Sequence, residues 1–312
     1  MESLMMAVQV VVPMAIMVCI GILLRVIKIT DAATMKKVDN IIFKVTMPTL
    51  MFYNIYKTDF SQLHNIGFIL YGVAGLLILF FIAMFLIPKV VKPGATAASY
   101  GQAIVRSNYL IFGAAVAESI YGAGNIGLVS LLGAVAVPMF NALSAVILEA
   151  GRHGIASAKK LLIAIAKNPT VDATIIGLII NFSGITLPDL ILDVVGDISG
   201  LTTPLSFLSI GVSLSIGATM AKKGYLTSAV LLRLVLIPLV FVTGAVLLGF
   251  RGQELVALLI LFAAPTAVSS YPMAVAMDAD GDFAAQMVAY TTIFCLPTIF
   301  LWTLLLNSMG WM

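Results

Sequence analysis

From Ser3 to Leu24 the chain carries no charged side chain, and apolar runs of similar length recur to its end. A helix crossing the hydrocarbon of a bilayer needs about 20 consecutive apolar residues. In water, so many such runs would have to bury one another completely. Only 10% of the 312 residues are charged, against roughly 25% in ordinary soluble domains. A soluble globular protein is therefore excluded, and so is an extramembrane domain of any size. Alternation with a period of two is absent, so the chain reads as all-α and not as a transmembrane barrel.

Ten spans can be drawn between charged or turn-forming residues: Ser3–Leu24, Ile41–Tyr56, Ile66–Ile87, Thr96–Ala117 and Asn125–Leu148, then Pro169–Leu187, Ser199–Ala221, Leu226–Phe250, Leu255–Met277 and Phe283–Leu306. A basic connector, Glu149–Lys167, separates the two sets, and its Ile155–Ala166 stretch reads as an amphipathic surface helix. The odd-numbered connections hold twelve Lys/Arg and the even-numbered ones two, Lys57 and Arg251. Positive charge is retained on the cytoplasmic side, which places both termini outside the cytoplasm and makes the cell (inner) membrane the expected location. The start Met1-Glu2-Ser3 lacks the basic region of a secretory signal, so no cleavage is expected. A weak excess of basic residues in such a chain marks topology and gives no reason to expect nucleic acid as a partner.

Proline and glycine recur at fixed spacing. A shift of 156 superimposes Pro13 on Pro169, Gly21 on Gly177 and Pro48 on Pro204, and a shift of 159 superimposes Gly122 on Gly281 and Pro138 on Pro297. These residues set kinks and close approaches, so their recurrence implies the same helix shapes twice. Two five-helix repeats, residues 1–148 and 169–312 around a connector at 149–168, must have opposite orientation because five is odd. Inverted repeats favour alternating access around a midplane site.

The fourth and ninth spans are the least helix-like. They hold Arg106-Ser107-Asn108 through Gly113, and Pro265-Thr266 through Ser269-Ser270-Tyr271-Pro272. Freed backbone groups at membrane depth are tolerated only beside a cavity or a protein partner, so these two are expected to be crossing broken helices. Half-helix N-termini meeting at the midplane favour an anion. Lys44, Arg106 and Arg233 are cations inside spans, and Glu118 is the candidate carboxyl for proton coupling. Lys44 and Arg233 can alternatively snorkel to the cytoplasmic interface. The Asp278, Asp280 and Asp282 run lacks the terminal Glu of a calcium loop and reads as a solvated turn. Cys19 and Cys295 lie in apolar stretches, and no nucleotide loop, metal cluster or nucleophile–base pair appears. Neither an enzyme, an ATP-driven pump nor a bound cofactor is indicated.

Four segments carry a family resemblance: Lys44-Val45-Thr46-Met47-Pro48-Thr49-Leu50, Arg106-Ser107-Asn108-Tyr109-Leu110-Ile111-Phe112-Gly113, Thr203-Pro204-Leu205-Ser206-Phe207-Leu208-Ser209-Ile210-Gly211 and Pro265-Thr266-Ala267-Val268-Ser269-Ser270-Tyr271-Pro272. In their order and spacing the chain resembles the auxin efflux carrier family of permeases, particularly bacterial members, over essentially its whole length. The resemblance implies ten helices divided between a scaffold and a transport domain, crossing broken helices 4 and 9, and elevator-like movement. That fold is shared with bile-acid sodium symporters and sodium/proton antiporters. It further implies that Asn108 is the substrate asparagine, that Pro265 or Pro272 is the crossing proline, and that the protein is a homodimer. Bacterial members resemble carriers of small carboxylates such as malate, lactate or malonate. One departure follows Gly113, where Ala114-Ala115 replaces a hydrophobic residue and proline, leaving Gly113 alone to carry the break in the fourth helix.

The expectation is thus a secondary transporter for a small carboxylate, bound by Asn108, Arg106, Gly113, Pro265, Ser269, Ser270, Tyr271 and Pro272, with Glu118, Lys44 and Arg233 as coupling or gating residues. Its coupling ion would be a proton or sodium, and its other contacts membrane lipid. The alternative is a membrane sensor that binds a ligand at the same crossing without transporting it.

Overall fold

A computed structural model describes residues 2–57, 66–121, 127–153, 168–213 and 222–312, and within them the chain is helical with no strands. In order, the helices are α1 (Glu2–Val26), α2 (Ala32–Ile41), α3 (Met47–Tyr56), α4 (Ile66–Phe81), α5 (Ile87–Val90), α6 (Gly94–Val105), α7 (Tyr109–Tyr121) and α8 (Gly127–His153). They continue as α9 (Pro169–Phe182), α10 (Asp189–Gly200), α11 (Thr202–Ser213), α12 (Lys223–Leu231), α13 (Ile237–Leu247), α14 (Gly252–Ala263), α15 (Ser270–Ala276) and α16 (Gly281–Ser308). Among the described residues, five stretches are long and apolar enough to cross a bilayer: Ile66–Val90, Gly127–Gly151, Asp189–Ser213, Lys223–Leu247 and Gly281–Ser308. Large apolar side chains such as Leu70, Phe81, Leu239 and Leu301 face outward, as a lipid solvent allows. The protein is an all-α membrane protein. Gly122 and the Ile155–Ala166 stretch lie outside the described residues.

Three of these rods contain a π-helical turn: Ile42–Thr46 between α2 and α3, Ile82–Leu86 between α4 and α5, and Leu232–Leu236 between α12 and α13. Each ends two residues before a proline, Pro48, Pro88 or Pro238. Proline has no N–H, and its ring clashes with the carbonyl four residues back. The turn ahead of it absorbs one extra residue, so the amides of Met47, Ile87 and Ile237 reach back five residues to Ile42, Ile82 and Leu232.

Two sets of helices pack mainly among themselves. In one, α1 lies along α11, while α3 lies against α9 and α10; the other gathers α4 to α8 with α12 to α16. The α1–α11 contact is backbone on backbone, since a Cβ at Gly211 would stand 2.9 Å from the Gly21 Cα. Small residues permit such approach in membranes. Gly211→Ala should therefore destabilise the protein by about 1–3 kcal/mol, the usual cost of overpacking. Thermal unfolding in detergent would show this, and Gly224→Ala, where a Cβ meets nothing within 4 Å, should leave the transition unchanged.

Two local expectations are corrected. The segment after the sixth span is not a connection but α10, whose Asp189, Asp193 and Asp197 share one exposed face while the helix packs on α3. Asp280 is not part of a solvated turn. Its carboxylate caps α16 by accepting the Phe283 N–H at 3.1 Å, accepts the Thr96 hydroxyl at 2.6 Å and pairs with Lys222. Burial pushes this carboxyl up, but the bonds from Lys222, Thr96 and the Phe283 amide outweigh it and hold it below its ordinary value. Asp278 and Asp282 are not buried with it.

Candidate substrate site at the helix crossing

The breaks expected in the fourth and ninth spans are present, and they touch. Arg106 and Ala264 leave α6 and α14 in extended backbone conformations, and Ser107 and Thr266 form an isolated antiparallel bridge. The Asn108 N–H donates to the Pro265 carbonyl at 2.8 Å, and the Ala267 N–H to the Arg106 carbonyl at 3.1 Å. Pro265 explains the second break, because it lacks an N–H and biases the residue before it toward extended backbone. The first break needs no proline. Ser107 and Asn108 carry side chains that compete with helical bonding, and the partner strand supplies the missing bonds. It falls at Arg106–Asn108 rather than at Gly113, which sits inside a continuous α7. Thr266 completes the junction: its N–H donates to the Thr291 hydroxyl at 3.0 Å, and its own hydroxyl to the Ala103 carbonyl at 3.0 Å.

Arg233 does not snorkel. It is fully buried, and its guanidinium donates to the carbonyls of Ile104 (3.0 Å), Leu261 (3.4 Å) and Ala264 (3.0 and 2.7 Å). These carbonyls lie at the C-terminal ends of α6 and α14, which lack helical partners and form the negative ends of the two half-helices. One cation therefore closes both. Its role at the site is to satisfy the crossing from behind, with no contact to the cavity.

In front of the crossing lies a cavity of about 280 Å³, bounded by Arg106–Leu110 and Ala267–Ser269 from the broken helices, and by α3, α8 and α11. Arg106 is buried and donates to the Ser269 hydroxyl at 2.9 Å and the Met273 sulfur at 3.2 Å, which fixes its charge at the cavity wall. The Asn108 Nδ2, the Ser107 hydroxyl, the Asn141 Oδ1 and the Thr202 hydroxyl are buried there without a protein partner. The first turn of α7, whose Tyr109 and Leu110 line the cavity, has amides without helical acceptors. A fixed cation, a helix N-terminus and unused amide and hydroxyl groups in a mostly apolar pocket suit a small anion with further oxygen atoms.

The structure brings Arg106, Asn108, Pro265 and Ser269 together at the crossing. Ser270, Tyr271 and Pro272 are buried in α15, off the cavity wall, and the Tyr271 hydroxyl donates to Ser213 at 2.7 Å. Gly113 faces α8, where a Cβ would stand 2.6 Å from Val129 Cγ1, so it serves packing and not the pocket. Lys44 is exposed on its π turn. Glu118 lies on α7, and its side chain is outside the described residues. Asn141 and Thr202 carry no motif in the sequence; an amide in the interior of the apolar fifth span is the one signal available there.

Residues 149–303 match the family model described as membrane transport protein. Across 93% of this chain and 95% of its own length, an uncharacterized transporter of Methanothermobacter thermautotrophicus is 23% identical. A second uncharacterized transporter, from Methanocaldococcus jannaschii, is 29% identical over 48% of this chain and 50% of its own. The resemblance to the auxin efflux carrier family is borne out, and the protein is a membrane transporter, not an enzyme.

Proposed function

We propose that this protein is a secondary transporter that moves a small organic anion, a carboxylate, across the cytoplasmic membrane by elevator-type alternating access. One observation carries the reading: the buried Arg106 guanidinium and the unpartnered Asn108 amide share the wall of a cavity at a helix crossing. Arg106 would compensate the carboxylate, Asn108 would donate to it, and Asn141 and Thr202 would read its remaining oxygens. The inverted repeat is supported by the pairing itself, since the antiparallel bridge is centred on Ser107 and Thr266, which differ by the same 159 that relates Gly122 to Gly281 and Pro138 to Pro297. The sequence Leu-Ile-Pro closes the π turn at Leu86-Ile87-Pro88 and again at Leu236-Ile237-Pro238. Movement of one helix set against the other is supported by their largely separate packing. The charge bias supports a topology with both termini outside the cytoplasm, and the family resemblance supports a homodimer.

Proteoliposomes containing this chain alone should take up labelled malate, lactate or malonate in exchange for the same unlabelled compound inside. Selective thermal stabilisation by one of the three would name the substrate. Absence of both exchange and stabilisation with all three would overturn the carboxylate assignment.

A further inference from the structure

Asp39, which no sequence motif marks, has no exposed surface, and neither of its carboxylate oxygens has a hydrogen-bond partner. It lies on α2, just ahead of the second span, and α2 packs against α11 and α15. The polar groups facing the carboxylate are the hydroxyls of Ser209 on α11 and Tyr271 on α15. Among the described residues no cation joins them. On α11 there is no titratable residue, on α15 only Tyr271, and Lys36 and Lys37 on α2 and Lys44 on the adjoining π turn point away from it. An ionised carboxylate in such a place is costly, whereas the neutral acid has two hydroxyl oxygens to which it can donate.

The position connects with the cavity on both sides. Ser209 follows cavity-lining Ser206 by three residues on one face of α11, and Tyr271 follows cavity-lining Ser269 by two. The contact also spans the two helix sets, with α11 from one and α15 from the other packed on α2.

We infer that Asp39 is the proton site that couples transport to the pH gradient, the substrate anion moving with a proton carried on the Asp39 carboxyl. The step is a simple one: the carboxylate takes a proton from one aqueous side and releases it on the other, reaching each as the helix sets move. With the acid neutral, α15 can leave Asp39 without exposing a bare charge to an apolar path. With the acid ionised, that displacement is opposed, so net movement without a proton is suppressed. A bound sodium ion is a poorer fit, because it would need several oxygen ligands and, among the described residues, only two hydroxyls face the carboxylate.

The inference rests on the transport reading, and two measurements on the reconstituted full chain separate them. Infrared difference spectra between acidic and neutral pH, recorded without substrate, should show the carbonyl stretch of a buried acid in the wild type, shifted in Asp39→Glu and gone in Asp39→Asn. If wild type and Asp39→Asn give the same difference spectrum, the proton-site assignment is overturned. Asp39→Asn should also lose accumulation of labelled malate, lactate or malonate driven by an inward proton gradient while retaining exchange. Gradient-driven accumulation equal to wild type in that variant overturns the coupling, whereas failure of exchange in the wild type overturns the transport reading and leaves the infrared result to decide on Asp39.

Discussion

Replacing Arg233 by methionine is expected to destabilise the protein more than any other single substitution at the crossing. The side chain is fully buried, and its loss bares the carbonyls of Ile104, Leu261 and Ala264 at the ends of α6 and α14. A buried acceptor left without a donor costs about 1–3 kcal/mol, so three of them amount to a sizeable part of a typical folding free energy. Methionine keeps most of the volume, which isolates the hydrogen bonds from cavity formation. Thermal or chemical unfolding in detergent should show a large drop in the midpoint. Arg233→Lys should fall between, because one ammonium cannot span carbonyls on two helices. A midpoint for Arg233→Met within error of wild type would refute the role.

Asn108→Ala should reduce exchange of the transported carboxylate by about 10- to 100-fold, the range expected for one hydrogen bond to a charged group. Its Nδ2 has no protein partner and borders the cavity, so truncation removes a donor the fold does not use. The Asn108 backbone bond to Pro265 survives the substitution, and the unfolding midpoint should move little. Asn108→Asp keeps the shape and places a negative charge beside the anion. It should reduce exchange further than alanine does. Full activity in both variants would remove Asn108 from the site.

How far the sequence anticipates this structure depends on whether the cause is local. The breaks in the fourth and ninth spans are legible because Pro265 and the Ser107–Asn108 pair act on their own backbone. Gly113 nonetheless draws the expected break in the fourth span away from its true place, since a glycine in a helix can equally serve close packing, here against Val129. Arg233 is visible as a charge in an apolar run, but nothing near it in sequence indicates carbonyls contributed by residues 104 and 264. Asp39 escapes notice for a related reason. It stands beside Lys36 and Lys37, and the three together read as a connection, although the helix turns the aspartate inward and leaves the lysines out of the core. In α10 the aspartates at 189, 193 and 197 suggest a loop by composition, while their four-residue spacing places them on one helical face.

The arginine behind the crossing makes the two halves unequal. Arg233 stands three residues before Leu236-Ile237-Pro238, whereas three residues before Leu86-Ile87-Pro88 stands Ala83, which lies close to Gly101 of α6. Both half-helices of the crossing thus draw their neutralising charge from the same half of the chain. A fragment that ends before Arg233 would leave the Ile104 carbonyl without the donor that the whole chain gives it.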